Sequence, residues 1–160
     1  MEIQLLRHGK AAPHGHPEGD FARELVEKGR DQARRAARFL AAADCLPELV
    51  LTSPVLRARQ TAGIFCETAG LEAPLLQPWL ACGMRPEVAA AELAGFREFA
   101  RVMIVGHEPD FSSLVEWLLG AQGGGVEVKK ATLAGLRWFP PARVGSLVYL
   151  VPPSMFPAKI

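Results

Sequence analysis

Short apolar runs and amphipathic stretches alternate along the chain. Ile3, Leu5 and Leu6 open it and read as a buried strand. That run ends in Arg7-His8-Gly9 and passes into a Pro/Gly-rich loop over residues 11–22. From Lys28 to about Ala43 the period becomes helical. Ala33, Ala36, Ala37 and Leu40 fall at i, i+3, i+4 and i+7, and Arg30, Arg34, Arg35 and Arg38 lie mostly on other faces. Pro47 to Thr52 predicts a second short buried strand. It runs into Ser53, a good N-cap, and Pro54, suited to the first helical position, so a helix is expected from there. Leu71 to Trp79, broken by Pro74 and Pro78, predicts an extended connection. Arg85 to Ala100 predicts a third helix, with Pro86 near its start and Leu93, Phe96 and Ala100 in register. Val102-Met103-Ile104-Val105 is the most strand-like run. It ends in Gly106-His107, and Phe111, Leu114, Val115 and Leu118 then repeat at helical spacing behind Asp110, the candidate N-cap. Gly120 to Gly125 is a turn. Residues 126–139 and Ser146 to Val151 have no helix between them and predict an antiparallel edge. Pro152 to Ile160 reads as an irregular tail.

Strands alternating with helices predict an α/β fold with a mostly parallel sheet, and 160 residues fit one domain, 1–160. Composition then removes several functions. The formal net charge is +1, so no global field recruits nucleic acid or an anionic membrane. No apolar run reaches the roughly 18 residues of a membrane span. Met1-Glu2-Ile3-Gln4 lacks the basic-then-apolar start of a secretion signal. Cys45, Cys66 and Cys82 are odd in number and form no CxxC pair. They argue against a disulfide framework or a zinc site and read as small apolar packers. The expected compartment is the cytoplasm. His14, His16, Glu18 and Asp20 fit no metal-ligand spacing and read as a solvated loop, so no metal is expected. The arginines of the first helix, diluted by Glu27 and Asp31, read as a solvated face, and Lys129-Lys130 as a solvated pair.

Three strand-to-loop junctions carry the chemistry: Arg7-His8, Arg57 and His107. Arg57 stands one turn into the second helix on the face of Ser53, where a helix N-terminus and a guanidinium both favour an anion. In a parallel sheet the strand C-termini share one edge, so two arginines and two histidines converge there. Arginine grips phosphate with a planar fork of donors, and a neutral imidazole nitrogen attacks phosphorus. Gly9 lets the backbone approach the anion. The expected roles are His8 as nucleophile, its other nitrogen donating to a backbone oxygen, and Arg7 and Arg57 on the equatorial oxygens. His107 would be protonated and donate to the same oxygens.

This arrangement resembles the histidine phosphatase superfamily, the phosphoglycerate-mutase-like family. The resemblance rests on Leu6-Arg7-His8-Gly9, on Ser53 to Ala62 around Arg57, and on Val105-Gly106-His107-Glu108-Pro109. It implies a three-layer sandwich with helices on both faces of the sheet. It also implies a phosphorylated His8, with Arg7, Arg57 and His107 completing the pocket. The small SixA-type branch, the phosphohistidine phosphatases, is the nearest in character: the chain is short, opens Arg-His-Gly-Lys-Ala, and carries Arg23-Glu24-Leu25 before a Gly29-containing helix start. By that likeness Arg23 also reaches the phosphate. Val26 stands where a Thr or Ser often caps the next helix.

Larger relatives carry a carboxylic acid that protonates an ester leaving group. The stretch here, Pro78 to Met84, contains none, and Glu87 and Glu108 are the nearby candidates. An alkoxide leaves poorly without a proton, whereas an imidazole tolerates its absence. The expected activity is removal of phosphate from phosphohistidine on a partner protein, a histidine phosphotransfer domain being one form, without metal or other cofactor. Two alternatives stand beside it: hydrolysis of a small phosphoester or phosphosugar metabolite, and a non-catalytic phosphate-binding regulatory module.

Overall fold

In a computed structural model, which describes residues 1–157, the opening apolar run forms β1 (Glu2–Arg7) at the middle of a six-stranded sheet. Parallel to it lies β4 (Arg101–Gly106), and beyond that β2 (Leu49–Thr52) and the two-residue edge strand β3 (Leu75–Leu76). On the other side β5 (Leu133–Arg137) and β6 (Ser146–Val151) pair antiparallel. The order β3-β2-β4-β1-β5-β6 is thus a mostly parallel sheet with an antiparallel edge. The expected fold class holds.

Helices cover both faces, because side chains alternate across each strand. Leu6, Val50, Met103 and Val105 face α1 (Glu27–Ala42) and α2 (Leu56–Ala69), where Ala36, Ala37, Ala58, Ala62 and Phe65 are buried. Ile3, Leu5, Leu51, Val102 and Ile104 face α3 (Pro86–Ala94) and α4 (Asp110–Leu119), with Leu93, Phe111, Leu114 and Leu118. The alanine stripe of α1 lets that helix pack closely on α2, rather than directly on the sheet. No helix among the described residues is long and apolar enough to cross a membrane.

Four local expectations need correction. Ser53 is not the cap of α2: the N-cap is Val55, and Arg57 is the second helical residue. The Ser53 hydroxyl accepts the Val55 N–H at 3.2 Å, closing a turn before the helix starts. Asp110 is the first residue of α4 rather than its cap. Its carboxylate accepts the Gly83 N–H, while Glu108 accepts the Ser112 N–H at 2.9 Å and serves the helix start. The third helix ends at Ala94 instead of Ala100, since Gly95 follows as its C-cap. The tail is not wholly irregular: Pro153–Met155 forms a 3-10 turn and Phe156 is buried against Phe39. Residues 158–160 lie outside the described residues. Val26 does cap α1 with no side-chain hydrogen bond, as its lack of a hydroxyl requires.

Candidate active site

The parallel strands deliver their C-terminal tips to one edge, and backbone hydrogen bonds stitch those tips together. Arg7 pairs in register with Gly106, the His8 N–H donates to the Gly106 carbonyl at 3.0 Å, and the Ser53 N–H donates to Val105 at 3.0 Å. The three junctions are therefore held in fixed relation before any side chain is considered. Arg7, His8, Arg23, Arg57, His107 and Glu108 line one cavity of about 340 Å³. His14, Asp20, Cys82 and Lys130 complete its wall. An adjacent groove of about 350 Å³, lined partly by Leu56, Pro74 and Leu76, carries Arg59 as its one cation and no imidazole.

His8 is buried, and its two ring nitrogens have different partners. Nδ1 donates to the Gly9 carbonyl at 2.8 Å, which leaves the Nε2 lone pair free to accept Arg57 Nε–H at 3.3 Å. Burial lowers the imidazole pKa from 6.5 to about 3, and the nearby Arg57, His107 and Arg7 charges push the same way against the Gly9 bond. His8 is thus neutral at physiological pH, with an unprotonated nitrogen facing a guanidinium.

His107 packs beside it, ring centroids 5.4 Å apart. Its Nε2 is 2.8 Å from the Ser53 hydroxyl, and its buried Nδ1 has no partner among the described residues. Burial, then Arg57, lowers its pKa to about 4. Before an anion arrives this histidine is neutral rather than protonated. A phosphate dianion in the cavity would raise its pKa by attraction.

Arg7 donates Nη1–H to the Val128 carbonyl at 2.9 Å, and its buried Nε has no partner among the described residues. Arg57 is buried at the start of α2. It donates to His8 through Nε, to the Asp20 carbonyl through Nη1 at 2.9 Å, and to the Asp20 carboxylate through Nη2 at 3.0 Å. Arg23 is buried too, its Nε on the Asp20 carboxylate at 2.7 Å and its Nη1 on the Ala12 carbonyl at 2.8 Å. Hydrogen bonding to Arg23, with Arg57 adding, holds the Asp20 carboxyl below its usual range, so it is ionised. Three arginines and two imidazoles around one cavity can neutralise a tetrahedral dianion and present it to a neutral nitrogen.

The remaining sequence candidates are placed differently. The Gly9 N–H is committed to the Thr61 hydroxyl at 3.1 Å, and a side chain at Gly9 would meet the Gly29 backbone 2.5 Å away. Its missing side chain serves the approach of α1, not contact with an anion. Glu108 lines the cavity, but its two oxygens accept the Ser112 and Val128 N–H groups, which leaves it poorly placed to donate a proton. Glu87 is an exposed residue of α3 outside the cavity wall. Cys66 is a buried packer as expected. Cys82 is not: it is exposed, 3.8 Å from Arg57 Nη2. Among the described residues no group of three or more His, Cys, Asp or Glu could hold a metal ion.

Sequence reasoning missed Asp20, Ser53 as a histidine partner, Thr61, and the cavity-facing positions of His14 and Lys130. The signal for Asp20 was present: an acid three residues before Arg23 on one turn of the loop beside the strand tips.

Known proteins resemble this chain in sequence and in fold. The family model of the histidine phosphatase superfamily (branch 1) matches residues 3–81. An uncharacterized protein of Picosynechococcus sp. is 33% identical over 86% of this chain and 85% of its own. The phosphohistidine phosphatase SixA of Escherichia coli is 33% identical, with 72% of each chain covered. The solved structure of the protein histidine phosphatase SixA complexed with tungstate superposes with a TM-score of 0.86 at 25% identity, covering 96% of this chain and 98% of that one.

Proposed function

The chain belongs to the histidine phosphatase superfamily, in its SixA branch, and from that premise we propose that this phosphatase removes phosphate from phosphohistidine on a partner protein. The observation that carries the reading is the state of His8: Nδ1 spent on the Gly9 carbonyl, Nε2 bare and beside Arg57. Nε2 attacks phosphorus, and the P–N bond of the substrate breaks with its electron pair going to the leaving imidazole. Arg7 and Arg57 hold the equatorial oxygens through the transfer, and His107 takes up a proton and donates to them as charge develops. Water then attacks the phosphoryl group on His8, releasing inorganic phosphate and restoring the imidazole.

The choice of a P–N over a P–O substrate follows from the proton supply. Glu108 is held by two backbone N–H groups and Asp20 is ionised between two arginines. Neither is set up to protonate an alkoxide, which an ester would require. The test is a comparison of kcat/KM for a phosphohistidine-bearing phosphotransfer domain with a panel of phosphomonoesters of small metabolites. The expected result is a preference for the phosphohistidine protein of about a hundredfold or more, the scale of one absent general acid. A metabolite ester turned over with higher kcat/KM would overturn the substrate assignment.

A further inference from the structure

The mouth of the cavity already holds an imidazole ring. His14, on the loop after β1, is almost fully exposed, yet its Nδ1 lies 3.2 Å from the Asp20 carboxylate. Asp20 opens a 3-10 turn (Asp20–Ala22) and lines the cavity, and its carboxylate is half exposed at the rim. The same carboxylate is fixed from behind by Arg23 at 2.7 Å and Arg57 at 3.0 Å. Arg57 in turn reaches the His8 nucleophilic nitrogen with its Nε. One guanidinium therefore links the attacking nitrogen to an acceptor on the exposed side of the cavity.

We propose that Asp20 is a specificity-determining residue that accepts a hydrogen bond from the leaving imidazole of phosphohistidine, and that His14 occupies this acceptor until substrate displaces it. The inference rests on the proposed phosphohistidine phosphatase reading. Its chemistry concerns the ring nitrogen remote from phosphorus. With that nitrogen protonated and donating to Asp20, the phosphorylated ring is cationic. When His8 Nε2 forms its bond to phosphorus, the P–N pair returns to the ring. The ring then departs as neutral imidazole, its remote N–H still in place, and no proton has to be delivered during the step. An ester offers Asp20 no cation and gains nothing from it. A fixed carboxylate beside arginines thus favours one leaving group without serving as a general acid.

The surroundings bear on protonation. Asp20 faces His14, Arg23 and Arg57, and across the cavity stand Arg7, His8, His107, Glu108, Lys130 and Cys82. The first two arginines keep the Asp20 carboxylate charged, as its lowered pKa requires. A bound cationic ring is therefore held protonated to higher pH than the free ring.

The test uses free phosphohistidine and p-nitrophenyl phosphate, whose leaving group needs no proton and carries no N–H. In Asp20→Asn the ratio of kcat/KM for phosphohistidine over p-nitrophenyl phosphate is expected to fall about tenfold or more, the loss of one charge-assisted hydrogen bond. The alkaline limb of the phosphohistidine profile moves to lower pH. In His14→Ala the KM for phosphohistidine falls, because the resident ring is gone. A parallel loss on both substrates with an unmoved pH limb would reduce Asp20 to a support for Arg23 and Arg57. A His14→Ala loss as deep as that of Asp20→Asn would make His14 a participant, and either result overturns the inference. Wild-type protein inert toward phosphohistidine would defeat the underlying reading as well.

Discussion

His8 and His107 are kept neutral by the surroundings that suit them to an anion. Both rings are buried, and both face Arg57. Each gives up solvation that only a charged ring would use, which lowers its pKa from 6.5 to about 3 for His8 and about 4 for His107. The consequence for stability has a definite sign. Between about pH 6.5 and those values the unfolded chain binds protons that the folded chain does not. The folded state is therefore at full strength above about 6.5 and weakens as pH falls through that window. Urea unfolding at about pH 7.5 and about pH 5 checks it. The wild type is expected to lose more stability over that interval than a His8→Gln/His107→Gln double variant. Equal losses would mean that other groups govern the acid limb.

Among elements, the junction of β1 with α1 decides how firmly His8 is seated. Gly9 and Gly29 stand face to face: a Cβ on Gly29 would run into the Lys10 carbonyl oxygen. The contact is backbone against backbone, so neither side can yield by rotating a side chain. Gly29→Ala is expected to cost about 1–3 kcal/mol in urea unfolding. By shifting the His8 tip it is expected to lower kcat by up to about a hundredfold. Gly63→Ala in α2 is the control. Nothing lies within 4 Å of its added methyl group, and it should be neutral or stabilising by about 0.5–1 kcal/mol. A Gly29→Ala variant as stable and active as wild type would remove the close approach from the account.

The elements also show where sequence reading succeeds and where it stops. The strand tips at Arg7-His8, Thr52-Ser53 and Gly106-His107 were legible because a buried apolar run and a sudden polar end are both written locally. The α1 stripe of Ala33, Ala36, Ala37 and Leu40 was legible for the same reason. Ser53 reads as a helix cap, yet its hydroxyl answers to His107, 54 positions away, as well as to its own turn. Asp20 reads as solvated in the sequence because its partners Arg57 and Arg23 meet it only once the loop folds over the cavity. Glu108 looked available as an acid because nothing local reveals that Val128, 20 residues on, claims its second oxygen.

At the scale of the molecule, the sheet order turns separate signals into one site. β1 lies between β4 and β5, and β4 lies between β1 and β2. The tips of β1, β4 and β2 are therefore neighbours although they come from the start, the late middle and the first third of the chain. Cations and imidazoles arrive on these tips and on the helix that follows β2, and the loop after β1 closes over them with Asp20 and His14. His14 and Asp20 remain exposed at the rim of that cavity. The central claim is that the phosphoryl group passes through His8. The direct measurement is rapid quenching at alkaline pH, where P–N bonds survive, after mixing the protein with a ³²P-labelled phosphohistidine phosphotransfer domain. Label is expected on wild-type protein, mapped to His8, and none on His8→Ala. Label retained by the His8→Ala variant, or turnover in the wild type with the phosphoryl group found on another residue, would contradict it.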